Sequence, residues 1–210
     1  MIAYKFLRAG RIGPFSEFRW PGSGVWVRAE GEPASCRTGV HACRVDDLPW
    51  WLGEELWEIE LDGEVEVHEH KIVAPAGRLR SRVDAWTPDC AAEYGEACAW
   101  RTRDSAVDAL RRGEHEPAAA RLVRCATLRE LRRAARELAQ DIPDARVSLL
   151  MARDGAGCAL TGVAPMSAYI SAHAARQLDG PVAYGAERRW QSEWLARRLD
   201  LSAEGRAARR

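Results

Sequence analysis

Five side chains in the first third of the chain could bind a metal: Cys36, His41, Cys43, His68 and His70. His41 and Cys43 alternate, which puts them on one face of a strand, and His68 and His70 do the same. Two neighbouring strands would bring the pairs together. A structural zinc site takes four nitrogen or sulfur ligands, usually in two close pairs. The spacing of Cys36, His41 and Cys43 matches no standard zinc module. No metal is therefore expected, and His68 and His70 read as the wet face of a strand pair.

A second group mixes polar atoms with aromatic surface. His41, Trp50, Trp51 and Trp57 fall close in sequence, with Tyr4 and Lys5 on the first strand. Pockets need a large apolar wall and a few convergent polar groups. These six residues are the predicted ligand-binding set. The alternative for the tryptophans is an aromatic core for a thin β-layer. Seven of the nine lie before residue 101, where other bulky residues are scarce.

Complete catalytic motifs are absent. There is no GxxxxGK[ST] loop and no strand–GxGxxG–helix for phosphate, and no GxSxG nucleophile elbow. Asp154-Gly155-Ala156-Gly157 reads as a turn. His115 sits in a polar loop, and His173 lies near Tyr169 on a helix of small residues. Trp190 and Trp194 share a helix face that either packs inward or meets a partner. No residue is assigned a catalytic role, and the sequence specifies no cofactor.

Composition narrows the class. The chain has 210 residues with zero net charge, enough for one large domain or two small ones. The first 100 residues carry a charge of −6 and the remainder +6. Without a recognition motif that asymmetry is weak support for nucleic acid. A small-molecule or protein partner is expected instead. No run of 18 apolar residues exists, so no membrane partner is expected. The first residues lack the apolar core of a secretory signal. Arginine outnumbers lysine 29 to 2, as in a GC-rich bacterial genome. The six cysteines form no CxxC and read as reduced core thiols of a cytoplasmic protein.

These residues need elements to position them. Ile2 to Leu7, Val25 to Arg28 and Gly39 to Arg44 read as short strands, separated by Gly- and Pro-rich loops. Asp46 to Leu52 suits a helical turn, with Pro49 in its first turn. Leu56 to Val73 alternates apolar and acidic residues around Asp62-Gly63, which predicts a hairpin. Ile72 to Ala76 and Leu79 to Trp86 could add two strands. Thr87-Pro88 opens a helical region. The predicted helices are Pro88–Ala99, Ser105–Arg112, Pro117–Arg124, Leu128–Gln140, Met166–Leu178 and Ala186–Leu199. Thr127 and Glu130 form a capping box for the fourth, Gly180 is a helix stop, and Val147–Met151 is a strand or a helical turn. The fold class is α+β: a small, mostly antiparallel N-terminal sheet over residues 1–87, packed on helices over 88–201, with a basic tail at 202–210.

Two resemblances attach to these segments. Tyr4-Lys5, Gly39-Val40-His41-Ala42-Cys43, Leu56 to Glu60, Gly63-Glu64-Val65 and Lys71 to Ala74 resemble an uncharacterised bacterial domain with a GFHAC-type segment, over about residues 3–80. That resemblance implies a fold and no activity. The order of strand, Gly-rich loop, GVHAC, short helix and ELWEIEL is similar to the middle of ADP-ribosyltransferase-like folds. It implies an enzyme that grips NAD from the first strand, where Tyr4, Lys5 and Arg8 stand, with Glu58 or Glu60 as its later carboxylate. The binding or accessory module is the preferred expectation, and the NAD-using transferase is the alternative.

Overall fold

The computed structural model describes residues 1–31, 34 and 37–201. Cys36 and the tail over 202–210 lie outside the described residues. The fold is α+β, with an antiparallel sheet in the N-terminal part and helices after it. The chain forms two compact units. One holds residues 1–88 with the stretch that begins at Ser192; the other runs from Asp89 to Gln191.

In the first unit, β1 (Ile2–Leu7), β4 (Glu55–Asp62), β7 (Ala76–Arg82) and β2 (Val27–Arg28) form a four-stranded sheet in the order β1-β4-β7-β2. β3 (Val40–Ala42), β6 (Ile72–Ala74) and β5 (Glu66–Val67) form a second sheet in the order β3-β6-β5. All named pairings are antiparallel. Alternation sets the faces. Ala3, Leu7, Trp57, Ile59, Leu61 and Leu79 leave one face of the larger sheet and cluster with Val40, Ala42, Ile72 and Ala74 of the smaller. Each large apolar side chain buried there contributes about 1.5–3 kcal/mol. The sheets approach closely where β7 carries Gly77, whose Cβ would stand 2.8 Å from Val40 Cγ1.

Asp62-Gly63 does not close a hairpin. The edge of β4 is taken by β7, and β5 pairs with β6 in the other sheet. Gly63, at φ +86°, instead turns the chain from one sheet to the other, over Pro75, whose Cγ would lie 2.4 Å from a Cβ. A turn signal fixes a reversal locally but cannot say which strand takes the free edge.

A 3-10 helix, Val45–Trp50, follows β3. Ser192 Oγ donates to the Asp46 carbonyl at 2.7 Å, which ties the returning end of the chain to this helix.

The second unit is helical. α1 (Pro88–Arg112) is continuous where two helices were expected, because Trp100 to Asp104 contains no breaker. α2 (Glu116–Val123) and α3 (Leu128–Asp141) follow, the latter with both arms of the Thr127–Glu130 capping box in place. α4 (Arg146–Leu160) runs straight through Asp154-Gly155-Ala156-Gly157. Tertiary packing overrides glycine's low helix propensity there. A Cβ on Gly155 would lie 3.3 Å from Thr102 Oγ1, so the missing side chain lets the helices close up. α5 (Ala164–Arg198) is broken at Asp179 and Gly180, the latter at φ +75°. Leu110, Leu122, Leu131, Ala135, Leu149 and Ala152 lie in one core shared by α1 to α4.

Candidate functional site

After β1 the chain makes a tight excursion. Arg8 and Ile12 exchange main-chain hydrogen bonds at 2.8 and 3.2 Å. Gly10 and Arg11 both take positive φ, at +76° and +62°. Two carboxylates hold this turn, Glu54 just before β4 and Glu55 at its first position. Glu54 accepts from the Ala9 amide at 3.2 Å, and Glu55 accepts from the Gly10 amide at 3.0 Å and from Trp57 Nε1 at 3.0 Å. Burial alone would raise the Glu55 pKa. The Trp57 indole, the Gly10 amide and the Arg82 cation outweigh it, and the group titrates below its ordinary 4.5. A depressed carboxylate stabilises the fold fully above 4.5 and loses that contribution as pH falls through its folded value. Urea midpoints measured over roughly pH 6 to 3 should therefore fall more steeply for the wild type than for Glu55→Gln.

The turn carries Pro14 and Phe15 over the 3-10 helix. Phe15 is 85% exposed, and its ring stands edge-on to Trp51 with centroids 6.4 Å apart. Phe6, Leu7, Arg8, Pro14, Phe15, Trp50, Trp51, Leu52 and Gly53 line a depression of about 100 Å³. Gly53 sits in close approach, since a Cβ would meet the Leu7 carbonyl at 3.2 Å and Phe6 Cβ at 3.3 Å. Arg8 is the one cation of this lining. Its Nη2 lies 2.6 Å from the exposed Glu17 carboxylate and 3.4 Å from the Gly13 carbonyl. Its Nε is buried with no hydrogen-bond acceptor among the described residues.

The platform under the two tryptophans is rigid. Trp50 stacks on His70 at 4.0 Å with an interplanar angle of 24°, and Trp51 Nε1 donates to the His70 carbonyl at 2.5 Å. Asp47, nearly buried, accepts from Arg44 Nε at 2.5 Å, and its other oxygen lies 3.6 Å from His70 Nδ1. Arg44 Nη2 donates to the Glu69 carbonyl at 2.8 Å. Asp47 and Arg44 thus fix both the 3-10 helix and the turn that carries His70.

The expected ligand-binding residues separate into two places. Trp50 and Trp51 line the depression; Tyr4, Lys5, His41 and Trp57 do not. Trp57 is buried between the sheets. Lys5 faces the same interior and reaches β3, donating from Nζ to the His41 carbonyl at 2.5 Å. It lies 5.1 Å from the centroid of the Trp20 ring. Burial pulls the Lys5 pKa down to about 8. Burial also lowers the pKa of His41, helped by its neighbours Lys5 and Lys71, while its Nδ1 rests 3.1 Å from the Gly39 carbonyl. Tyr4 is buried on the opposite face, directly across from Glu58. Glu58 and Glu60 pair there with Arg80 at 3.5 Å and Arg78 at 2.8 Å.

Among the described residues no three His, Cys, Asp or Glu side chains group as a metal site. His68 pairs with Glu66 at 3.2 Å while His70 stacks on Trp50, so the two histidines serve different neighbours. Cys43 is buried, and burial raises its pKa far above the ordinary thiol range.

A larger depression of about 250 Å³ lies in the helical unit, lined by Arg101, Asp104, Asp108, Asp179 and Glu187 among others. Its charges are already spent. Arg101 pairs with Glu187, Arg103 with Asp104 and Arg112 with Asp179. Balanced ion pairs leave little for a ligand to satisfy, and exposed pairs contribute little.

Pro14 and Phe15 were not predicted site residues, and Arg8 was reached only through the transferase-like resemblance. The usable signal was an aromatic residue placed directly after Gly13-Pro14, where a solvent-facing loop would ordinarily be polar. Among the described residues no helix is long and apolar enough to cross a membrane. Compared with known proteins, the chain matches no family model, no curated protein and no solved structure.

Proposed function

We propose that this chain is an accessory binding module of the bacterial cytoplasm, and that its Trp50–Trp51 depression receives a single ring or branched apolar group bearing a carboxylate. One observation carries this reading: exposed Phe15 and the fixed Trp50–Trp51 pair converge with an Arg8 Nε that lacks an acceptor. A volume of about 100 Å³ is far below the roughly 300 Å³ at which metabolite pockets begin. The site therefore takes one group of a larger molecule, either a small molecule or a partner's side chain. Arg8 supplies the anion preference, because its present partner Glu17 is exposed and such pairs are weak enough to exchange. The GFHAC-type resemblance over residues 3–80 belongs to the same reading and adds no activity to it.

The NAD-using transferase requires a first-strand side chain, His41 and a strand carboxylate at one point. Lys5 leaves one face of the sheet and Glu58 the other; Tyr4 shares the face of Glu58, but it is buried and Glu58 pairs with Arg80. This weighs toward binding.

Benzoate and benzylamine, matched in ring and opposite in charge, test the proposal by calorimetric titration. Benzoate is expected to bind at least tenfold more tightly, and Arg8→Gln should erase the difference. Equal affinity for the two in the wild type would count against the anion-bearing ligand.

A further inference from the structure

Lys5 is an amine seated without a counter-ion. Its Nζ has the His41 carbonyl as acceptor at 2.5 Å and the Trp20 ring at 5.1 Å, and no carboxylate pairs with it among the described residues. Among its ionisable neighbours, the buried Cys43 thiol stays protonated, and His41 meets Lys5 through its carbonyl. We propose that Lys5 is a covalent capture site for small aldehydes, held as a protonated imine against the Trp20 face. Lys5 does not line the Trp50–Trp51 depression.

The chemistry follows from what surrounds the nitrogen. A paired carboxylate would keep the ammonium charged and unreactive. A carbonyl and a π-face stabilise a cationic nitrogen without supplying a negative charge. Burial lowers the pKa to about 8, so about a tenth of the amine is neutral near pH 7 and can act as a nucleophile. The neutral nitrogen's lone pair attacks the carbonyl carbon, and the oxygen takes the proton that nitrogen releases. The carbinolamine then loses water as the C=N bond forms, and a proton from solvent makes the iminium. The product keeps both contacts of the reactant: its N–H donates to the His41 carbonyl and its charge lies on Trp20. Acylation would give a neutral amide and forfeit the second contact, which is why a carbonyl compound is the fitting class. Lys5 is only partly exposed, which confines the aldehyde to a small one.

The chain contains just one other lysine, Lys71, which serves as an internal reference. The test incubates the full chain with glycolaldehyde and cyanoborohydride at neutral pH, then maps the adducts by mass spectrometry of peptides. Lys5 is expected to carry at least ten times the adduct of Lys71. Lys5→Arg should remove that adduct and leave the one on Lys71 unchanged. In guanidinium the two lysines should react alike, because the fold creates the preference. Equal labelling in the folded chain, or labelling of Lys71 ahead of Lys5, would overturn the proposal.

Discussion

Asp47→Ala should destabilise the protein by about 3–5 kcal/mol, the usual cost of leaving one member of a buried ion pair alone. The Asp47 and Arg44 side chains are 3% and 11% exposed, so the stranded guanidinium cannot regain water. The damage should reach the site, because Asp47 also faces His70, on which Trp50 stacks. Urea unfolding measures the first effect, and near-ultraviolet circular dichroism reads the loosened tryptophan. A double replacement, Arg44→Met with Asp47→Leu, should recover much of the stability, since an apolar pair of similar volume is often neutral. A loss below about 1 kcal/mol for Asp47→Ala would mean that the pair is not holding this platform.

The second large effect belongs to the helical unit. Glu187 is buried, accepts from Arg101 Nε at 2.7 and 2.9 Å and from Ser171 Oγ at 2.5 Å, and Arg101 lies 4.1 Å from the Trp190 ring centroid. Glu187→Ala removes the shared acceptor of Arg101 and Ser171 at once. Arg101 is 39% exposed and can turn to water, so the expected loss is about 2–3 kcal/mol, below that of a fully buried pair. Glu187→Gln keeps an acceptor for Ser171 and should cost less. Denaturant midpoints for the two variants give the ordering; equal losses would show that the charge, and not the acceptor, matters to Ser171.

Local patterns were legible where local physics decides. Residues 2–7, a short apolar run interrupted only by Lys5, form β1; Thr127 and Glu130 cap α3; Gly180 breaks α5. Elements decided by distant partners were not. Asp62-Gly63 turns as its type demands, yet which strand it serves depends on β7 occupying the edge of β4. Gly155 lies inside a helix where a Cβ would stand 3.3 Å from Thr102 of another helix, a close approach with no local signal. The site divides the same way. Trp50 and Trp51 were visible as an aromatic pair after Pro49. Arg8 and Phe15 join them only because Glu54 and Glu55 hold a turn 45 residues away in sequence. Lys5 and His41 were visible as residues, but their meeting through a main-chain carbonyl has no sequence signal.

The most direct measurement is fluorine NMR of the chain labelled with 5-fluorotryptophan, with the Trp50 and Trp51 resonances assigned by single replacements with phenylalanine. On titration with benzoate, the Trp51 resonance should shift most and Trp50 next, while Trp57, buried between the sheets, stays in place. Phe15→Ser should weaken that response. Saturating benzoate that leaves both Trp50 and Trp51 unmoved, or that moves only tryptophans of the helical unit, would contradict the assignment of this depression as the binding site.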